Sequence, residues 1–120
     1  MISVVNLQEK FRSFSDHWSP KIAGELNGQH IKLAKIQGEF TMHKHDHEDE
    51  MFLVISGRLI MKLEDRQLEI GPGEYVIIPK GTMHQPIAHI ETQILLFEPI
   101  GTVNTGDQIN DLTKTELERI

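Results

Sequence analysis

The chain has 120 residues, with 12 Lys and Arg against 18 Asp and Glu for a net charge of -6, and no cysteine. That length suits a single domain, 1–120, with one core and one principal cavity. No basic block follows a phosphate backbone, which argues against nucleic acid as a partner, and without thiolates any metal must be held by nitrogen and oxygen donors.

The first residues, Met1 to Asn6, lack both a basic n-region and a long apolar h-region. No run approaches the roughly 20 apolar residues that span a bilayer. A soluble, cytoplasmic protein with no membrane partner is expected. Leu7, Phe11, Phe14 and Trp18 recur at i, i+4, i+7 and i+11, which predicts a helical arm over about 6–18, with Asn6 and Glu9 as a reciprocal cap. Such a stripe packs on its own domain or serves as an arm on a partner subunit. Pro20, Gly24 and Asn27-Gly28 then punctuate short segments, and Asn-Gly between strand-like flanks predicts a hairpin turn.

Strands are predicted at 30–37, 39–45, 50–56, 58–64, 66–70, 74–78, 84–90 and 92–98. Breaks fall at Gly38, Gly57, Asp65, Gly71-Pro72-Gly73 and Pro79-Lys80-Gly81, residues that supply the φ angles and missing N–H groups of turns. Short strands with tight turns and no intervening helix define an all-β fold, an antiparallel sandwich or barrel over about 22–100. Met51 to Ile55 is apolar on both faces, so it belongs to a central strand, covered by the barrel interior on one side and open to a second subunit on the other. In the extension 101–120, Gly101, Asn104 and Gly106 suggest a loop. Thr113 to Glu116 reads as a capping box opening a very short helix, with disorder at the end as the alternative.

Chemistry concentrates between His43 and His84. On a strand, side chains two apart share a face, so His43 and His45, about 6.8 Å apart along the chain, can converge on one ion. Asp46 to Asp49 suffices to turn the chain and start a return strand at Glu50, whose face continues through Phe52 and Val54 as an apolar wall. Pro79 and Gly81 make a rigid corner that presents His84. Three imidazoles and a carboxylate suit a divalent transition metal, Mn, Fe, Co, Ni, Cu or Zn, better than Mg or Ca. His47 shares the parity of His43 and His45, but only two residues would separate it from Glu50. Glu48 and Asp49 are the alternative carboxylates. His17, His30, His47 and His89 read first as surface or hydrogen-bonded side chains.

These residues resemble the paired motifs of the cupin superfamily, G-x5-H-x-H-x3,4-E-x6-G and G-x5-P-x-G-x2-H-x3-N. His43, His45, Glu50 and Gly57 match the first, with Gly38 one residue close; Gly73, Pro79, Gly81 and His84 match the second, with Ala88 in place of Asn. Further stretches, including Trp18-Ser19-Pro20 and Asn104-Thr105-Gly106, are similar to small single-domain members labelled mannose-6-phosphate isomerase-like. The resemblance implies a double-stranded β-helix, or jelly-roll barrel, to which the periodicity adds the short N-terminal helix, and a homodimeric assembly. It also implies a metal inside the barrel held by His43, His45, Glu50 and His84.

The reaction stays open at this level, because one fold hosts many chemistries. One reading is a metal-dependent enzyme, of dioxygenase or isomerase type, on a small oxygen-rich or aromatic molecule. The other is a non-enzymatic cupin that binds or senses a small-molecule ligand. No general base stands out; His89 and Tyr75 are candidates, read first as structural. A phosphosugar isomerase needs Lys or Arg at the metal, whereas Lys35, Arg58, Lys62 and Lys80 fall at strand ends or on solvent faces. Phe40 and Met42 suggest a confined cavity, although their strand parity is opposite to that of His43.

Overall fold

The protein, described over residues 2–120 by a computed structural model, is built from one short helix and seven strands. Helix α1 (Leu7–Arg12) starts at Asn6, whose side chain accepts from the Glu9 N–H at 3.0 Å, the half of the predicted cap that forms. It ends far short of Trp18 because the Ser13 hydroxyl takes the Lys10 carbonyl at 2.6 Å, and the chain then finds strand partners instead. Trp18 N–H donates to Lys35 O, and His17 bridges Lys35 in parallel. The aromatic stripe still packs on the domain, with Phe11 buried and Phe14 and Trp18 half-buried, but most of it does so from an irregular segment.

Strands β1 (Lys21–Leu26) and β2 (Gln29–Glu39) form the predicted hairpin, with Asn27 and Gly28 at φ 49° and 76°, the pair of positive angles that a two-residue turn of this hand requires. β3 (Glu50–Ser56), β4 (Leu59–Leu63), β5 (Gln67–Ile70) and β6 (Tyr75–Ile78) fall close to their predicted spans. β7 (His84–Pro99) runs unbroken where two strands were expected. Likewise β2 continues past the expected break at Gly38, which absorbs a bulge at φ 92°, and residues 40–49 form no regular strand.

β7 organises the molecule. It pairs with β2 along most of its length, with β4 over its first residues and with β3 over its second half. The remaining ladders join β1 to β2, β3 to β6 and β4 to β5, all antiparallel. The changeover lies at Thr92, fully buried, whose hydroxyl accepts from Arg58 N–H at 3.0 Å. There a Cβ on Gly57, at φ 89°, would stand 2.8 Å from Thr92 Cα, so the turn after β3 must be glycine. The result is the cupin-type jelly-roll arrangement expected from the motifs. Ile36, Phe52, Val54, Leu59, Met61 and Ile94 stand at its core.

The C-terminal extension contains no helix at 113–116. The Thr113 hydroxyl instead bonds to Thr105 and accepts from Asn110 N–H, so its capping capacity is spent inside a loop. The last residues are tied to β1, with Ile22 N–H donating to Glu118 O and Ile120 N–H to Ile22 O. No helix among the described residues is long and apolar enough to cross a membrane.

Candidate metal centre

Two irregular segments, 40–49 and 79–83, lie side by side; the first carries His43 and His45 and leads into Glu50, and the second leads into His84. His43 N–H donates to His84 O at 3.0 Å and His84 N–H to His43 O at 2.8 Å; Gly81 N–H donates to His45 O, and Lys80 N–H to the Asp49 carboxylate. The two motifs are thus bonded to one another, not merely adjacent. Behind the first segment, Lys44 and Asp107 exchange bonds, with Asp107 N–H donating to Lys44 O at 3.0 Å and Lys44 N–H to Asp107 Oδ1 at 3.1 Å.

His43, His45, Glu50 and His84 are all buried, and one donor atom from each lies within 4.8 Å of every other. His43 Nε2 is 3.2 Å from His45 Nε2, and Glu50 Oε1 is 3.2 Å from His84 Nε2 and 3.3 Å from His45 Nε2. In His43 and His84, Nδ1–H donates to the carbonyl two residues back, Thr41 O at 2.7 Å and Thr82 O at 2.9 Å. That bond fixes the tautomer and leaves the Nε2 lone pair pointing into the cluster, as in metal-ligating imidazoles. Lone pairs crowded at this range repel unless a cation stands between them. Ligands about 2.1 Å from an ion and at right angles lie about 3.0 Å apart, close to the contacts seen. The donor set fits a divalent transition metal.

Burial, and then the charge of His84, holds His43 down to about 4. Burial pulls His45 down, but the hydrogen bond and charge of Glu50, with the charge of Glu48, together outweigh it and raise this imidazole. For Glu50 burial acts upward, but the His45 and His84 imidazoles beside it overcome that and keep the carboxylate ionised far below its ordinary range. Neutral imidazole at His43 and an anion at Glu50 are the protonation states that a metal takes, whereas His45 would give up a proton on binding one.

A cavity of about 40 Å3 opens beside the cluster, room for roughly three water molecules. Its walls are mainly apolar, including Ile36, Phe40, Phe52 and Leu96, with His43, Glu50, Glu98 and Asn104 as polar groups. Trp18 stacks on Phe40 with centroids 4.7 Å apart, and Phe40 meets the His43 ring edge-on.

Residues 29–97 match the cupin domain family, more than half of the chain. The protein is a cupin. In a comparison of structures, this cupin is similar to a cupin-2 domain containing protein from Shewanella frigidimarina, with 41% identity, a TM-score of 0.79, and coverage of 80% of this chain and 94% of that one. It is 29% identical over 100 residues to the uncharacterized protein YdbB of Bacillus subtilis, 82% of each chain. KdgF from Halomonas sp. is 26% identical with a TM-score of 0.59, covering 67% of this chain and 78% of that one.

In this cupin the alternative ligands stand apart from the cluster. His47 is exposed, and Glu48 and Asp49 lie outside the four-residue group. His89 is exposed and Tyr75 is 63% exposed on the outer face. His17 pairs with Glu91 at 2.8 Å. His30 departs from expectation: it is buried, neither ring nitrogen has a hydrogen-bond partner, and Glu25 stands 3.6 Å away. Phe40 also departs, reaching the cavity despite its parity, because alternation fails once residues 40–49 leave the regular strand.

One buried ion pair departs from the sequence reading. Lys32 and Glu98 are each 2% exposed and 3.1 Å apart. A signal for them exists in the sequence, since Lys32 shares parity with Ala34 and Ile36, and Glu98 with Ile94 and Leu96, all core residues. Burial and the neighbouring Glu50 carboxylate push Glu98 well above the usual carboxylate range, against the pull of Lys32.

Proposed function

We propose that His43, His45, Glu50 and His84 hold one divalent transition metal in this cupin. In this reading the adjoining cavity binds a small oxygen-rich or aromatic molecule for chemistry of the isomerase or dioxygenase type. The observation that carries the reading is the pair of imidazoles locked by Thr41 O and Thr82 O with their Nε2 atoms aimed at a common point beside Glu50. Bound there, a transition metal supplies Lewis acidity toward a carbonyl oxygen or, for iron, a route to dioxygen.

The chain's own residues set the rest. The two carbonyls hold the imidazole planes, Phe52 and Leu96 exclude water from one side, and the small cavity limits the ligand's size. Among the described residues no Lys or Arg lines the cavity. A phosphate would find no side-chain counter-charge there beyond the ion itself, which supports a reading with an unphosphorylated ligand over the mannose-6-phosphate isomerase-like one.

Elemental analysis after separate loading with Mn, Fe, Co, Ni, Cu and Zn tests the metal. About one equivalent is expected for at least one of them; no metal under any condition would sink the proposal. Oxygen uptake with Fe but not Zn then marks a dioxygenase, and turnover with Zn or Mn without oxygen marks an isomerase. Ligand binding without turnover, the second reading, is favoured by the placement of His89 and Tyr75 away from the cavity, which leaves no imidazole or phenol free to move a proton there.

A homodimer accompanies this proposal. On the outward face, Met51 stands between Phe97 and Ile77, and Leu53 between Leu95 and Tyr75, in a continuous apolar patch across β7, β3 and β6. Ile77 is 56% exposed there, and such a face calls for a cover. A second copy supplies it. A cytoplasmic location also goes with the reading, in keeping with a chain free of cysteine.

A further inference from the structure

Among the described residues that line the cavity beside the cluster, all are buried except Trp18 and Asn104, which are half-buried. These two side chains therefore form the cavity's mouth. Neither belongs to a barrel strand: Trp18 comes from the irregular segment after α1, and Asn104 from the C-terminal extension. Both are fixed. Asn104 uses each end of its amide, donating to Leu112 O and accepting from Lys114 N–H, both at 2.9 Å. Trp18 holds φ 55°, a left-handed backbone that a bulky residue adopts only at a cost and that recurs where a site requires it. Its N–H donates to Lys35 O at 3.0 Å and its indole N–H to Gln37 O at 2.9 Å, so two bonds to β2 hold the ring over the cavity.

We infer that Trp18 is the specificity-determining residue of this site. Its indole narrows the mouth so that the cavity takes a compact oxyanion of a few carbons, a carboxylate or an enolate, and turns away ring-bearing homologues. The inference rests on the metal reading for the ligand's anchoring point and adds the ligand's charge and size. Charge follows from the ion. A divalent cation held by neutral imidazoles and the Glu50 anion keeps a net positive charge, and Lys32, 3.1 Å from Glu98, offsets that neighbouring carboxyl, so an anionic oxygen is drawn to the ion. Size follows from the walls. At about 40 Å3 the cavity is far below the roughly 150 Å3 that receives a benzene ring. The missing room is taken by the protein's own rings. The indole stacks on Phe40 with planes 23° apart, and Phe40 meets the His43 imidazole edge-on at 5.6 Å, so Trp18 stands only two rings from a proposed ligand of the ion.

The test measures binding, not turnover, by visible absorption of cobalt-loaded protein whose metal content is checked after each titration. The probes are acetohydroxamate and benzohydroxamate, which bind an ion through the same two oxygens as monoanions and differ only in methyl against phenyl. Wild-type protein is expected to bind acetohydroxamate at least tenfold more tightly than benzohydroxamate. Trp18→Gly removes the ring where a left-handed backbone suits glycine, and should bring the two affinities within about threefold of each other. Trp18→Phe, which keeps a smaller ring on Phe40, should give a ratio between those of wild type and Trp18→Gly. Equal affinities or a preference for benzohydroxamate in wild type would overturn the inference, as would an undiminished tenfold preference in Trp18→Gly or, should that variant not fold, in Trp18→Phe. Failure of wild type to take up cobalt or any other metal would overturn the metal reading instead. Metal-free protein would then decide Trp18 alone, through carbethoxylation by diethyl pyrocarbonate followed by tandem mass spectrometry. His43 lines the cavity, whereas His84 is fully buried and does not. Measured against the exposed His47, His43 should react at least fivefold faster in Trp18→Gly than in wild type, with His84 unchanged; equal rates at His43, or acceleration shared by His84, would overturn the gate.

Discussion

His43 and His84, 41 residues apart in sequence, form a closed two-hydrogen-bond pair through their backbones, and their rings lie 4.3 Å apart. This isolated bridge joins segments outside the regular ladders of β2 and β3. Each imidazole is then oriented by a carbonyl two residues upstream. Backbone pairing therefore sets the spacing, and side-chain bonding sets the direction, of two of the four proposed ligands.

If the four-residue cluster holds the metal, His43→Ala should strip it and His47→Ala should leave most of it bound. Removing a ligand from a buried site costs far more than altering an exposed imidazole. Metal-to-protein ratios after dialysis would check this, and retention by His43→Ala with loss from His47→Ala would reverse the assignment.

Lys32 and Glu98 are a buried pair, so breaking it on one side should be severe. Lys32→Met is expected to destabilise by about 3 kcal/mol or more, since the buried Glu98 carboxyl is left without its partner. Lys32→Met/Glu98→Leu should recover most of that loss. Thermal unfolding of the two variants checks the contrast; equal melting temperatures would show that the ion pair contributes little.

Gly106 sits at φ 57° with its missing side chain directed at Lys44 O and, at 2.9 Å, at His43 Cδ2. Gly106→Ala should displace the segment that carries His43 and His45. A lowered melting temperature is expected together with metal affinity reduced about tenfold or more. Competition with a chelator measures the second effect, and unchanged affinity would show that the tail does not position the ligands.

Burial lowers the His43 pKa to about 4, so the folded metal-free protein declines a proton that the unfolded chain accepts at about 6.5. The associated stability is present above pH 6.5 and is lost as the pH falls toward 4. His45, shifted upward, acts in the opposite sense. The decisive comparison is thus with His43→Asn. Across that window the metal-free wild type should lose melting temperature relative to the variant; parallel curves would refute the buried neutral imidazole.

For the proposed dimer, Leu53→Glu places a charge in the middle of the outward patch while leaving the inner face of β3 intact. Light scattering after size exclusion should show dimers for wild type and monomers for the variant. A monomeric wild type would leave the patch to another partner.

Much of the site was legible because strand alternation and turn chemistry act locally. Glu50, Phe52 and Val54 share the inner face as their spacing requires, and Gly57 and Gly81 hold positive φ where the turns need it. The helix was overextended because Phe14 and Trp18 keep a helical interval while bonding to β2 instead. Gly38 looked like a break, yet a bulge let β2 continue beside β7, since ladder bonds with a long neighbour outweigh glycine's preference to turn.

By itself the sequence determined an all-β fold and the four residues His43, His45, Glu50 and His84, because their spacing is set by the two-residue period of extended chain and by glycine and proline at corners. Only the tertiary structure decided what stands beside them. The Lys32–Glu98 pair, the Trp18–Phe40 stack and the tail holding Lys44 arise from contacts between distant segments. Register and packing, rather than local conformational preference, bring those segments together.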